Sequence, residues 1–199
     1  MTNTETYEVF AVRYATRPAM RRDHFVGGDP HDDQMPMDYF VWLIRNDHRT
    51  YVVDTGFHAD MAKKRQREYV RSPKEGLALL GVDSHEVTDV ILTHLHYDHV
   101  GTFDDFPKAQ FHLQDAEMSF ATGRHMCNGH YYEHMRSNRF FTLVFKLGDM
   151  LNGYRNLHEL AASPDHVVPG HDPLVMQYYP APSPELDGIV VRLDVAPKT

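Results

Sequence analysis

The sequence predicts a single mixed α/β domain over residues 1–199, and three observations lead there. Segments with strand patterning and segments with helical patterning alternate loosely along the chain. The length of 199 residues, with 42% hydrophobic and 24% charged, suits one domain with a sizeable core. A short apolar run, Asp89-Val90-Ile91-Leu92-Thr93, reads as a buried strand and leads directly into a group of histidines.

The elements follow in order. Residues 7–14 are rich in β-branched and aromatic side chains and read as a strand. Residues 23–38 hold Gly27-Gly28-Asp29-Pro30, several acids and methionines, the composition of a long loop that can border a site. Asp38 to Ile44 is a second strand, Asn46-Asp47-His48 a turn, and Thr50 to Val53 the returning strand of a hairpin. Residues 58–80 have helical patterning that Pro73 divides and Gly81 stops. After the strand at 89–93, residues 103–106 form a turn, 110–113 a strand and 114–122 a helix. Residues 123–140 give no clear pattern. Residues 149–162 carry apolar positions at helical spacing, with Asp149 as N-cap. Residues 165–169 read as a short strand before Gly170-His171-Asp172-Pro173, and 188–195 as an edge strand. There is no internal repeat.

Composition removes several functions. The net charge of −8 opposes binding to nucleic acid or an anionic membrane, because phosphate contacts need clustered Lys and Arg. The basic run Lys63-Lys64-Arg65-Gln66-Arg67 reads as a solvated helix face. No stretch approaches the roughly 18 apolar residues of a membrane span. The first fifteen residues lack a secretory pattern, and the single cysteine, Cys127, permits no internal disulfide. A cytoplasmic protein is expected.

The chemistry is concentrated in Thr93-His94-Leu95-His96-Tyr97-Asp98-His99. On an extended backbone His94 and His96 point to the same side, and Asp98 and His99 follow where the chain leaves the strand. Three imidazoles and a carboxylate within six residues are donors suited to zinc, although iron and manganese accept similar sets. His171, after a glycine in a turn, is a further candidate. Asp54, closing Val52-Val53-Asp54-Thr55-Gly56, reads as a turn residue or as the group that orients a ligand histidine.

Together these segments resemble the metallo-β-lactamase superfamily: 93–99 its HxHxDH motif, Val53-Asp54-Thr55-Gly56 its early DTG turn, and Pro169-Gly170-His171 its late histidine. Phe40 to Gly56, Leu113-Gln114-Asp115 and 168–173 are most similar to the N-acyl homoserine lactonase-like branch. The resemblance implies an αββα sandwich, two zinc ions at the sheet edge and a small-molecule ester substrate, above all a lactone, attacked by a metal-bound hydroxide. It implies His94 and His96 on one metal, Asp98, His99 and His171 on the other, and Asp98 in the catalytic role. It also implies a departure. A third histidine for the first metal and a bridging aspartate are not found between His99 and His171, and 127–135 looks like a join across a deletion in the second half. His125, Cys127, His130 and His134 are candidate substitutes. An exposed sheet edge left by such a deletion would suit a homodimer, and a catalytically impaired metal-binding remnant or a glyoxalase II-like thioester hydrolase are the alternative functions.

Overall fold

A computed structural model describes residues 5–25, 28–122 and 152–198. The alternating apolar run near the N-terminus forms β1, Glu8–Arg17. It pairs antiparallel with β2, Met37–Arg45, which returns through the Asn46 turn to β3, Thr50–Val53. β1 runs past the predicted end at residue 14 because the register skips one residue between Arg13 and Ala15. This bulge at Tyr14 puts Ala15 opposite Tyr39, on the face that carries Val12 and Val41.

From β3 the chain crosses over through α1, Ala59–Arg65, the two-residue strand β4, Glu68–Tyr69, and α2, Pro73–Ala78. A parallel partner strand needs such a crossover. The predicted division at Pro73 is present, with Ser72 capping α2 by accepting from the Glu75 amide. Helix α1 ends earlier, at Gln66 in the left-handed region. β5, Asp89–Leu92, then lies parallel to β3, and β6, Gln110–Leu113, parallel to β5. The sheet is mixed, in the order β4-β1-β2-β3-β5-β6, and β7, Val190–Arg192, pairs with the same strand β1 that holds β4. The predicted edge strand at 188–195 is thus the shorter β7.

One face of this sheet carries the main core: Phe10, Val12, Tyr14, Val41, Leu43, Val52 and Val90, with Phe57 and Leu77 from the crossover. Gly76 brings α2 onto Val12 so closely that a Cβ there would lie 2.5 Å from its Cγ1. The described residues hold one of the two sheets expected of the sandwich.

The chain divides into two compact units, 1–114 with 170–199, and 115–169. Within the second are α4, Asp115–Thr122, α5 over 152–160, and a 3-10 turn, Pro164–His166. The predicted strand at 165–169 is not formed. Pro164 fixes φ at a helical value, and the Val167 amide closes the turn on the Pro164 carbonyl instead of pairing with a strand. The N-cap expected at Asp149 and the join at 127–135 lie outside the described residues. In the first unit, α6, Val175–Tyr178, follows His171. Among the described residues, no helix is long and apolar enough to cross a membrane.

Candidate metal centre

The site lies at the carboxyl ends of the parallel strands β3 and β5, where loops of an open α/β sheet leave room for a ligand. The loop after β3 begins at Asp54. This residue is fully buried at φ 59°, and its amide donates to the Ile91 carbonyl of β5. Aspartate tolerates the left-handed region better than most residues. The turn continues through Gly56 at φ 77°, where a Cβ would meet Pro73 Cγ at 2.7 Å. Gly56 O accepts from the Gly101 amide at 2.7 Å, and Thr55 N donates to the His99 carbonyl at 2.6 Å. These bonds tie the two loops together.

The loop after β5 carries the histidines and passes into α3, Tyr97–Val100. Tyr14 Oη donates to the Asp98 carbonyl at 3.0 Å, anchoring the start of the helix to the core. The His99 side chain is buried, with its Nδ1 2.7 Å from Asp54 Oδ2. The same carboxylate accepts from Thr93 N at 2.8 Å and from Thr93 Oγ1. A carboxylate only accepts, so His99 holds its proton on Nδ1 and presents a lone pair on Nε2.

His171 reaches the site from the far end of the sequence, held by two backbone bonds. Its Nδ1 lies 3.0 Å from the Asp38 carbonyl, and its own carbonyl accepts from the Asp38 amide at 3.1 Å. The carbonyl again fixes the proton on Nδ1 and leaves Nε2 as the donor atom. Its ring stands edge-on to Tyr39, with centroids 5.3 Å apart. Burial pushes the His171 pKa down, against smaller opposing effects from the Asp38 bond and Asp98.

The free nitrogens converge. His99 Nε2 and His171 Nε2 lie 3.7 Å and 3.8 Å from Asp98 Oδ2, and the ligand atoms of all three residues fall within 4.8 Å of one another. Donors on a tetrahedral zinc at about 2.0–2.1 Å sit roughly 3.3 Å apart, so the arrangement is slightly open but of the right size. Two imidazoles and a carboxylate, each imidazole fixed from behind, fit a divalent metal.

His94 and His96 adjoin this group. His94 Nε2 and His96 Nδ1 are 2.9 Å apart, and the His94 and His99 rings have centroids separated by 3.9 Å. The pair offers two converging nitrogens, but among the described residues the group of three or more metal donors is Asp98, His99 and His171. Structural zinc sites use four protein ligands and catalytic ones three. The candidate substitutes His125, Cys127, His130 and His134 lie outside the described residues. Sequence reasoning left Asp54 as a turn residue or a group that orients a ligand histidine, and its carboxylate lies against His99 Nδ1. It missed Tyr14 and Asp38, since a bond to a backbone carbonyl leaves no residue-type signal.

A model of the metallo-β-lactamase superfamily matches residues 36–180. The chain belongs to this superfamily. A search of curated proteins finds no match. Among solved structures the fold is similar to a quorum-quenching N-acyl homoserine lactone lactonase, at 16% identity over 59% of this chain and 49% of that one, TM-score 0.48. It is similar to AidC, a dizinc quorum-quenching lactonase solved with N-hexanoyl-L-homoserine, at 18% identity over 67% and 51%, TM-score 0.46. A probable metal-dependent hydrolase from Staphylococcus aureus matches at 15% identity over 57% and 49%, TM-score 0.46. The chain spans about half the length of these structures.

Proposed function

We propose that the protein is a metal-dependent hydrolase of a small ester, with a lactone as the preferred substrate class and zinc as the metal. The observation that carries this reading is the convergence of His99 Nε2 and His171 Nε2 on the Asp98 carboxylate, each imidazole proton being held on Nδ1 by a separate acceptor. Asp98, His99 and His171 would hold one ion, and His94 with His96 would supply two donors toward a second. A bound divalent ion lowers the pKa of a water toward neutrality and polarises a carbonyl. The chain's own part is to place that chemistry. Asp54 and the Asp38 carbonyl fix both imidazoles, and Asp98 stands beside both nitrogens, where it can also accept a proton from a nucleophilic water. Phe40 to Gly56, Leu113-Gln114-Asp115 and 168–173 support the lactonase branch over thioester hydrolysis only through resemblance.

The reading is tested by measuring metal content and hydrolysis of a lactone panel, with matched thioesters, after chelation and after zinc return. Zinc-dependent lactone turnover supports it. Folded protein that binds zinc yet hydrolyses nothing supports the second reading, a metal-binding remnant, which the two-donor His94–His96 pair favours. The same preparation tests for a homodimer by sedimentation. Phe103 and Phe111, 55% and 36% exposed beside the terminal strand β6, support a covered edge.

A further inference from the structure

The basic run after β3 is not a uniformly solvated face. Lys63, Lys64 and Gln66 are exposed, but Arg65 and Arg67 are half-buried. Arg65 Cζ lies 3.8 Å from the centroid of the Tyr97 ring, and Arg67 Nε lies 3.5 Å from Tyr97 Oη. The Tyr39 and Tyr97 hydroxyls and the Arg67 guanidinium are close enough to influence one another electrostatically. Tyr39 is the residue whose ring meets His171, and Tyr97 directly precedes Asp98.

Sheet register brings in a third guanidinium. β1 and β4 pair Ala15 with Tyr69 and Thr16 with Glu68, so one step further Arg17 stands opposite Arg67. Alternation places Arg17 on the face of Ala15 and Tyr39, and Arg67 on the face of Tyr69. These are one face, the side on which Tyr39 touches His171. Arg17 is half-buried there.

Three arginines around two phenols need a counter-charge. Like charges opposed across a ladder are unfavourable. Arg13, Arg21, Arg22, Arg45 and Arg192 each sit on a carboxylate. Among the described residues Arg17, Arg65 and Arg67 have no carboxylate partner, and the Nε atoms of Arg17 and Arg65 are buried without a hydrogen bond. The nearby Asp23 carboxylate accepts from the Met20 amide instead. The α1 C-terminus favours cations, and Arg67 Nη1 donates to the Arg65 carbonyl at 2.8 Å. That explains positive charge at the helix end. It does not explain why Arg65 and Arg67 gather on Tyr97, beside the candidate metal ligand Asp98, with the half-buried Arg17 on the same face of the sheet.

We propose that Arg17, Arg65 and Arg67, with the Tyr39 and Tyr97 hydroxyls, form a binding site for a small oxyanion, a carboxylate or phosphate group. Guanidinium forks match the planar geometry of such groups. If the hydrolase reading holds, the site selects esters bearing an anionic group over neutral ones. The substrate's anion would lie behind Tyr39 while its ester faces the metal ligands.

Calorimetric titration of the full chain, metal-free and zinc-loaded, with inorganic phosphate and separately with acetate tests the site. Binding of either anion in both forms is expected, weakened about tenfold in Arg65→Gln and in Arg17→Gln, each checked for unchanged circular dichroism. Tighter binding of one anion identifies which group the site takes. No binding, or affinities unchanged in both variants, overturns the proposal. For the substrate, a neutral ester and its carboxylate-bearing analogue are compared. A lower KM for the anionic ester, lost in Arg65→Gln with kcat retained, is expected, and equal KM values in the unaltered protein overturn anion selection. If neither ester is hydrolysed, the hydrolase reading fails while the phosphate and acetate titrations still decide the site.

Discussion

Asp54 serves three donors with one carboxylate: the Thr93 amide, the Thr93 hydroxyl and His99 Nδ1. Replacing it by asparagine tests what it contributes. Asparagine also tolerates the left-handed backbone, and its carbonyl can still accept from Thr93. If that carbonyl stays on Thr93, its NH2 faces His99 and drives the imidazole proton to Nε2, the atom a metal would use. Asp54→Asn is therefore expected to weaken zinc affinity by about 10–100-fold with a small change in stability. Competition against a chromophoric chelator measures this, and an unchanged affinity would remove Asp54 from the positioning role. At this scale the sequence was readable where side-chain chemistry does the work. His94, His96, Asp98 and His99 stood out because three imidazoles and a carboxylate within six residues are unusual, and His171 and Asp54 gained weight only beside them. The Asp38 carbonyl behind His171 was not readable, since any residue supplies a carbonyl.

Among elements, the contact of α2 with β1 is the tightest that glycine permits. Gly76→Ala adds a good helix former, worth up to about 1 kcal/mol. It also places Cβ 2.5 Å from Val12 Cγ1 in a filled core. Overpacking of this kind costs about 1–3 kcal/mol, so the contact outweighs propensity and the urea midpoint falls at constant m. Gly153→Ala is the converse case. It lies within α5, and among the described residues nothing stands within 4 Å of the added atom. There, propensity acts alone, and a gain of about 0.5–1 kcal/mol is expected in the same measurement. Element existence was legible wherever periodicity was strong, as in β3 and β6, whose bounds agree residue for residue, and in β2, which runs one residue further at each end than expected. It failed at 165–169, where two valines suggested a strand but Pro164 set a turn. It also fell short at the end of β1, because the polar residues Thr16 and Arg17 hide a strand that continues only through a bulge.

For the molecule as a whole, the candidate metal site joins parts of the chain that lie far apart in sequence. Asp98 and His99 follow β5, whereas His171 precedes α6 and is fixed to β2 through Asp38. The family and the strands at 50–53 and 89–93 were legible because the HxHxDH and DTG segments are local, whereas their parallel pairing was not read from the sequence. The grouping of His171 with Asp98 and His99 was implied only by the resemblance, and its fixing was not legible, because that depends on β2 supplying a backbone acceptor at Asp38. A metal that binds only the closed arrangement must raise folding stability by mass action, by about 2.7 kcal/mol when free metal is a hundred times its Kd. Chelation is accordingly expected to lower Tm, and zinc to restore it. The pH dependence follows from His171. Burial holds its folded pKa below the ordinary 6.5, so as pH falls through 6.5 the unfolded chain takes up a proton before the folded one does. Stability of the metal-free protein present above that value is then lost until the folded imidazole also protonates. The zinc-induced rise in Tm shrinks over the same acidic range as protons compete for the ligands, and His171→Ala removes most of that rise at every pH. A rise in Tm that survives His171→Ala would place the metal elsewhere in the chain.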